Sequence, residues 1–301
     1  MMQTLANIGE DELIRRLTAE LPLDRTVIAG PGDDCAVIHA PPAGRHLLFK
    51  TDAVVEHIHF LRETPPRLIG RKALSRVVSD IAAMGGQPAH ALVTLVVRRA
   101  TEVSYVEELY AGIREAAAPF GINIVGGETS RGDTLVVSIS LLGHVSASRW
   151  SNRRGGKAGD VLFVTGHLGG SIKGKHLDFT PRVKEGQWLV KKFAIHAMMD
   201  ISDGLAKDLP RLAEASGLDF IVNEAALPRT QSCTPEQAWG DGEDYELLFA
   251  VSPKSATRLN KEWHHAFPKL PLTAIGSLVT KGEGAAPPFQ SRGWDHFANR
   301  P

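Results

Sequence analysis

The 301-residue chain has few cysteines, no excess of either charge and no long apolar run. Cys35 and Cys233 stand in unrelated contexts, which predicts free thiols in a reducing compartment rather than a disulfide framework. Lys+Arg and Asp+Glu are equal at 34 each, which argues against a nucleic-acid-binding protein with a basic surface. No stretch approaches the roughly 18–20 apolar residues that cross a bilayer, and no secretory signal is visible at the start. We therefore expect a cytoplasmic protein without membrane or nucleic-acid partners.

Common phosphate-binding, nucleophile and zinc motifs are also missing. The segment GHLGGSIKGKH contains G-x-x-x-x-G-K through Gly169 and Lys175, but His176 stands where a P-loop carries the Ser or Thr that binds Mg²⁺. A chain with 29 glycines produces such a match easily by chance. No G-x-S-x-G elbow is present. His57 and His59, predicted on one strand face, lack the further ligands that zinc requires.

Strands and helices alternate in both halves of the chain, which predicts an α/β or α+β protein. In the first half, helical spacing over 65–86 is followed by a strand-like apolar run at 90–97. The stretch SRWSNRRGGKAGD (148–160) has no periodicity and carries four basic residues among small ones. It predicts a boundary between two domains, 1–147 and 148–301.

The acidic residues are the most informative feature. They stand at the ends of apolar runs or beside glycines, where side chains project from the edge of a sheet. Turn formation or helix capping is the simpler interpretation for any one of them. Together, with few basic residues inside these motifs, they would repel one another unless a cation lay among them, and oxygen ligands beside a phosphate site favour Mg²⁺. These residues are Asp33, Asp34, Asp52, Asp80, Glu128, Asp200, Asp203, Glu243, Asp244 and Glu246.

Eight motifs, taken in order over nearly the whole chain, resemble the thiamine-monophosphate kinase family. They are GPGDDCAVI, KTDAVVEHIHF, GRKALSRVVSDIAAMGGQPAHALVTL, IVGGETSRGD, GGKAGDVLFVTG, MDISDGLAKDL, GDGEDYELLF and GWDHF. This family is related to aminoimidazole ribonucleotide synthetase, selenophosphate synthetase and a hydrogenase-maturation protein. The resemblance implies a two-domain aminoimidazole ribonucleotide synthetase-like fold of the α/β (α+β) class. It also implies a homodimer formed through N-terminal-domain strands, and ATP bound with several Mg²⁺ ions and no P-loop.

The same resemblance implies a role for each matching residue. The implied metal ligands are Asp34, Thr51, Asp52, Asp80, Glu128, Asp200 and Asp203. The implied ATP contacts are Gly127, Glu128, Arg153 and Ser202, and the implied substrate contacts are His59, Glu243 and Trp294. The implied reaction is direct in-line phosphorylation of thiamine monophosphate by ATP. A phosphate monoester with a second pKa of about 6 is largely dianionic at neutral pH, so no catalytic base is expected.

The chain departs from the family pattern at several positions. Lys50 stands where a small hydroxyl residue commonly helps to bind metal, and Glu128 replaces an aspartate; Pro31 and Asp241 also differ. These departures leave the number of metal ions open. Two other functions also remain open: an ATP-dependent synthase of the same superfamily, and a non-catalytic nucleotide-binding maturation protein. The motifs GWDHF and GEDYELLF argue against the synthase, whereas Lys50 and Glu128 make the maturation protein conceivable.

Overall fold

The computed structural model describes residues 7, 10–29, 37–287, 289 and 293–294. The chain divides into two compact units. The N-terminal unit comprises Met1–Ile81, Gly86–Ser148 and Leu177–Thr180, and the C-terminal unit comprises Ala82–Gly85, Arg149–His176 and Pro181–Pro301. The functional roles given to the two predicted domains stay predictions.

A four-stranded sheet forms the centre of the N-terminal unit. Its strands are β3 (Arg45–Val55), β4 (Gln87–Val97), β5 (Asn123–Arg131) and β6 (Val136–Ser146), and a separate small hairpin joins β1 (Val27–Ala29) to β2 (Val37–Ile38). The strand order is β3-β6-β4-β5. The pair of β4 and β5 is parallel, whereas β6 is antiparallel to both of its neighbours.

One face of this sheet is buried and the other is open. Successive side chains of a strand point to opposite faces, and on β4 this alternation buries Val93 and Leu95 but leaves Leu92 42% exposed. The helices of this unit are α1 (Glu10–Thr18), α2 (Pro66–Ala83) and α3 (Val103–Ala117). Helix α2 lies beside β3, since Arg76 Nη1 donates to the carbonyl oxygen of Ala53 at 3.2 Å.

The C-terminal unit contains a five-stranded, wholly antiparallel sheet. Its strands are β7 (Val161–Thr165), β8 (Ile195–Asp200), β9 (Asp219–Val222), β10 (Leu247–Val251) and β11 (Leu272–Val279), and its helices are α4 (Val183–Lys192), α5 (Leu205–Ala215), α6 (Pro235–Gly240) and α7 (Pro253–Ala266). The strand order is β8-β10-β7-β11-β9. All four strand pairs are antiparallel, so this half is α+β rather than a parallel α/β sheet.

Both faces of the C-terminal sheet carry a hydrophobic core. Val164 and Leu248, which are opposite each other on β7 and β10, belong to one buried cluster. Phe163 and Phe249, the next opposing pair, belong to the other cluster and stack with ring centroids 5.6 Å apart. The sequences of the central strands β7 and β10 are therefore continuous apolar runs, because both faces of these strands are buried. Within the described part of the chain, no helix is both long and apolar enough to span a bilayer.

Candidate active site

Two predicted metal ligands, Asp52 and Asp80, lie on either side of a lysine in the N-terminal unit. Strand β3 places Lys50 and Asp52 on the same face because they are two residues apart. Asp80 reaches the same place from the last turns of α2. The Lys50 Nζ atom is 3.1 Å from Asp80 Oδ2 and 3.6 Å from Asp52 Oδ2. The structure thus brings these two aspartates together around an ammonium group of the chain itself.

Thr51 and Glu128 have their side chains on the open face of the sheet, opposite to Asp52. Thr51 alternates with Asp52 along β3, and its Oγ1 accepts a hydrogen bond from the Ser140 hydroxyl at 3.2 Å. Glu128 is opposite Thr94 on β4 and is exposed. Within this unit the predicted metal ligands are therefore divided between the two faces of one sheet.

Gly127, a predicted ATP contact, lies where β5 comes close to the backbone of β4. A Cβ atom at this position would lie 1.9 Å from the carbonyl oxygen of Val93. Only a glycine fits such an approach of two backbones. Gly127 and Glu128 are both exposed on β5, so this segment is accessible to a ligand.

The prediction that His57 and His59 lie on one strand is wrong. Strand β3 ends at Val55, and residues 57–59 form a turn in which His57 has a φ of 68°. The turn is fixed because the buried Glu56 accepts the Leu135 N–H at 3.1 Å, and because His59 Nδ1 accepts the Val55 N–H at 3.1 Å. His59, the predicted substrate contact, therefore has one ring nitrogen bonded to the backbone.

In the C-terminal unit, Asp200 ends strand β8, and the loop after it, which carries Ser202 and Asp203, is held by a buried carboxylate. Asp208, in the first turn of α5, is 0% exposed. Its Oδ2 accepts the backbone N–H groups of Ser202 at 3.0 Å and of Asp203 at 2.9 Å. Burial raises the pKa of Asp208 to about 7, and the negative charges of Asp200 and Asp203 act in the same direction. Asp208 thus fixes the backbone of two predicted site residues, Ser202 and Asp203.

Asp203 is itself paired with cations of helix α5. Arg211 Nη1 donates to Asp203 Oδ2 at 2.7 Å and to Asp208 Oδ1 at 2.9 Å. Lys207 Nζ lies 3.6 Å from the same Asp203 oxygen. These two side chains reduce the repulsion among the acids at the start of α5.

Ser202, Asp203, Glu243 and Trp294 are gathered around the same loop. The Glu243 N–H donates to the Ser202 carbonyl at 2.7 Å, and the Trp294 N–H donates to the Asp203 carbonyl at 2.8 Å. The Glu243 backbone has a φ of 64°, and its carboxylate accepts the Tyr245 hydroxyl at 3.2 Å. Residues predicted to bind ATP, metal and substrate are therefore joined by direct backbone hydrogen bonds.

Arg153, the predicted ATP-phosphate contact, is exposed in the C-terminal unit. Its carbonyl accepts the Ser216 hydroxyl at 3.2 Å, beyond the C-terminal end of α5. Ser202 precedes the other end of that helix. The contacts of Arg153 thus do not bring its backbone to the loop that Asp208 holds.

The segment that resembles a P-loop binds carboxylates of the chain itself. The Gly169 N–H donates to Asp244 Oδ1 at 3.0 Å, the Ser171 hydroxyl donates to the same oxygen at 2.5 Å, and the Gly170 N–H donates to Asp241 Oδ2 at 3.0 Å. Burial raises the pKa of Asp244 to about 7. These N–H groups are aimed at protein side chains, so the segment does not form a phosphate cradle.

The buried carboxylate of Glu246 also contacts the segment that resembles a P-loop, through Lys175. It is 1% exposed and accepts hydrogen bonds from the Thr165 hydroxyl at 2.8 Å, from Lys175 at 3.1 Å and from Arg182 at 2.7 and 2.8 Å. The expectation that Asp244 and Glu246 project from the sheet edge is wrong. Both carboxylates point inward because each anchors the segment that follows β7.

Carboxylate oxygens form the donor set that a hard cation such as Mg²⁺ prefers. Among the described residues, however, no group of three or more His, Cys, Asp or Glu side chains is arranged to hold an ion. Asp34, with its neighbour Asp33, lies outside the residues that the structure describes. Between Asp52 and Asp80, the cation position is taken by Lys50.

A cavity of about 530 Å³ lies elsewhere in the N-terminal unit. Its polar lining includes Asp24, Thr26, His90, Asn123 and His144. Burial lowers the pKa of His90, which favours its neutral form. None of the predicted site residues that the structure describes lines this cavity.

Sequence reasoning did not single out Asp208, although it lies in the motif MDISDGLAKDL. Asp208 stands three residues after Leu205 and four before Leu212, both of which are 0% exposed. A charged residue on the buried stripe of an amphipathic helix is unusual. The place of Asp208 on the buried stripe of α5 was therefore the signal in the sequence that could have indicated its structural role.

Known proteins of similar sequence and structure extend over nearly the whole chain. The thiamine-monophosphate kinase of Rhodopirellula baltica is 37% identical over 286 residues, which cover 88% of this chain and 87% of that protein. The crystal structure of thiamine-monophosphate kinase from Stenotrophomonas maltophilia K279a matches with a TM-score of 0.78 and 29% identity, over 89% of this chain and 92% of that chain. A structure described as AaThiL complexed with AMPPCP and TMP matches with a TM-score of 0.75 and 32% identity, over 99% of this chain and 100% of that chain.

Two family models match successive parts of the chain. The model described as AIR synthase related protein, N-terminal domain, matches residues 32–145, and the corresponding C-terminal domain matches residues 130–285. The class that the fold and these matches define is that of the AIR synthase related proteins. Within that class, the chain belongs to the thiamine-monophosphate kinase family.

Proposed function

We propose that this chain catalyses the ATP- and Mg²⁺-dependent phosphorylation of thiamine monophosphate to thiamine diphosphate by direct in-line transfer. The observation that supports this function is the gathering of Ser202, Asp203, Glu243 and Trp294 around one buried carboxylate. A chain of this family that is 32% identical has been solved with AMPPCP and TMP. The roles proposed for these residues, which combine nucleotide, metal and substrate contacts at one loop, favour a kinase over a protein that only binds nucleotide.

The residues of the chain supply alignment and charge rather than covalent chemistry. The acceptor is a phosphate dianion at neutral pH, so no side chain is needed to remove its proton. The difficulty is to bring two polyanions together, and Arg153 contributes positive charge toward the ATP phosphates. Asp208 and Arg211 keep the Ser202–Asp203 backbone in one conformation, which reduces the entropy lost when the reactants are aligned.

The substrate contacts differ in chemical character. The half-buried Trp294 offers an aromatic surface to the cationic thiazolium of the substrate, an interaction worth about 0.5–2 kcal/mol. Glu243 offers a carboxylate that is already oriented by Tyr245. His59, through the part of its ring that is not bonded to Val55, is proposed to contact the substrate phosphate.

The proposed metal ligands are Asp34, Thr51, Asp52, Asp80, Glu128, Asp200 and Asp203. Mg²⁺ bound there would neutralise phosphate charge as the phosphoryl group is transferred. Asp208 and Arg211 orient Asp203 for this role. The Lys50 ammonium lies between Asp52 and Asp80, at 3.6 and 3.1 Å from their oxygens.

We further propose that the protein is a homodimer formed through the open face of the N-terminal sheet. On strand β3, Phe49 is 73% exposed and Leu47 is 58% exposed, and Leu92 on β4 is 42% exposed. An apolar cluster of this kind marks a protein interface. We also propose a cytoplasmic location, which agrees with the free, buried thiol of Cys233.

The test is the dependence of ADP release on the acceptor. Purified protein is incubated with ATP and Mg²⁺ and with thiamine monophosphate, thiamine or no acceptor, and ADP and thiamine diphosphate are quantified by chromatography. We expect ADP release only with thiamine monophosphate, and none when Mg²⁺ is chelated. ADP release that is independent of thiamine monophosphate would favour a synthase, and nucleotide binding without any ADP release would favour a maturation protein.

A further inference from the structure

The Lys50 ammonium lies between two carboxylates that the family resemblance assigns to metal. Its distances to Asp80 Oδ2 and Asp52 Oδ2 are 3.1 and 3.6 Å. All three side chains are partly shielded from water, with exposures of 38% for Lys50, 24% for Asp80 and 23% for Asp52. Lys50 lies on β3 and Asp80 lies on α2, so the contact joins a strand to the helix that follows it in the chain.

Two carboxylates held this close repel each other unless a cation lies between them. A divalent ion would meet that need, with Mg²⁺–oxygen distances of about 2.0–2.1 Å. The ammonium meets the same need, since it lies within 3.6 Å of one oxygen of each carboxylate. A divalent ion and the ammonium cannot share this position, because their positive charges would be in contact.

We propose that Lys50 is a tethered cation that replaces one divalent ion between Asp52 and Asp80. The chain then binds one ion fewer than the same chain would with a small hydroxyl residue at position 50. The Asp52–Asp80 pair is assembled before any metal or nucleotide arrives. This inference rests on the proposed function, since it supposes that the other acidic residues bind divalent ions.

The experiment counts Mn²⁺ ions by electron paramagnetic resonance in the presence of a non-hydrolysable ATP analogue. The full-length wild type is compared with Lys50→Ser, with Lys50→Arg, and with Lys173→Ser as the control. Lys173 is an exposed lysine of the C-terminal unit. We expect Lys50→Ser to bind one more Mn²⁺ ion per chain than the wild type, whereas Lys50→Arg and Lys173→Ser keep the wild-type number.

The double variant Lys50→Ser/Asp80→Asn tests whether the extra ion lies between Asp52 and Asp80. The double variant is expected to lose the extra ion or to bind it about 10–100-fold more weakly, as is typical when a metal site is weakened. An equal number of ions in the wild type and Lys50→Ser overturns the inference, as does an extra ion that Asp80→Asn does not affect. A wild type that binds no Mn²⁺ at all contradicts the metal part of the proposed function instead.

Folding is followed by circular dichroism in the same samples. If Lys50→Ser unfolds without metal, refolding on addition of Mn²⁺ supports the inference, because the divalent ion then replaces the missing ammonium. Unfolding that Mn²⁺ does not reverse counts against it. Each result therefore bears on whether Lys50 acts as a cation at this position.

Discussion

The acidic residues of this chain fall into two groups at the scale of single side chains. Asp208, Asp244 and Glu246 are at most 1% exposed and bind protein donors. Asp52, Asp80 and Asp203 remain 23 to 24% exposed and are paired with flexible cations. The first group organises the loops, and the second is placed to meet ligands.

Replacing Asp80 by asparagine removes one negative charge and preserves volume. We expect Asp80→Asn to lower kcat/KM for thiamine diphosphate formation by about 100-fold or more, as for the loss of one electrostatic contact in a transition state. Because Asp80 is not in the core, the free energy of unfolding should change by less than about 1 kcal/mol. Asp133→Asn, at an exposed position between β5 and β6, serves as the control. Near wild-type turnover in Asp80→Asn would remove this residue from the site.

The buried Asp244 predicts a specific dependence of stability on pH. Burial raises its pKa from 3.8 to about 7, so between these values the folded chain retains a proton that the unfolded chain has lost. Stability contributed by the protonated carboxyl is present at low pH and is lost as pH rises toward 7. Relative to Asp244→Asn, the wild type should lose up to about 1.4 kcal/mol per pH unit across this window. Guanidinium unfolding at pH 5, 6 and 7 measures the difference, and a constant difference would contradict the assignment.

At the scale of elements, helices α2 and α3 pack through glycines. A Cβ atom on Gly112 would lie 1.9 Å from the Arg67 carbonyl oxygen, and one on Gly70 would lie 1.9 Å from the Leu109 carbonyl oxygen. Each helix therefore approaches the backbone of the other without an intervening side chain. This close packing fixes α2, the helix that carries Asp80.

The close approach of α3 to α2 can be tested by adding one methyl group at Gly112. Gly112→Ala should gain about 1 kcal/mol of helix propensity but lose more through overlap with Arg67, for a net destabilisation of about 1–3 kcal/mol. Urea unfolding measures this change. Ser104→Ala, at an exposed position on the same helix, should stay within about 0.5 kcal/mol of the wild type. An increase in stability for Gly112→Ala would show that the helices are further apart.

Most elements could be predicted from periodicity, and the failures have physical causes. The helix expected over 65–86 corresponds to α2, and the strand expected at 90–97 lies within β4. Prolines at the start of this helix and glycines after it mark its limits in the sequence. Helix α4 was not predicted, since it lacks a side-chain N-cap and buries only Val183, Gly186 and Leu189. The turn at His57 was missed because it depends on Glu56, whose partners Arg98 and Leu135 are distant in sequence.

Less of the site than of the fold could be predicted from the sequence. The resemblance predicts a site role for Ser202, Asp203, Glu243 and Trp294, and backbone hydrogen bonds join these residues around one loop. Composition and periodicity could not indicate that Lys50 meets Asp80, because that contact depends on how α2 lies beside β3. For the same reason, the inward turn of Asp244 could not be predicted from its place after a glycine.

At the scale of the whole molecule, the open sheet face predicts self-association. Phe49→Asp introduces two charges into a symmetric interface and should convert a dimer into a monomer, with a loss of about 2–4 kcal/mol of association free energy. Light scattering coupled to gel filtration measures the mass. Leu61→Asp changes an exposed leucine in the turn after β3 and should leave the dimer intact. A wild type that is already monomeric would contradict the proposed interface.

We propose that acidic residues of this chain hold divalent ions for one transfer of phosphorus from ATP to thiamine monophosphate. Phosphorus-31 NMR of a mixture of protein, ATP, thiamine monophosphate and Mg²⁺ tests it most directly. We expect the γ-phosphorus signal of ATP to disappear while the two signals of thiamine diphosphate grow in equal proportion to ADP. Excess chelator should stop the conversion. Release of inorganic phosphate in place of thiamine diphosphate, or conversion that continues without divalent ions, would contradict it.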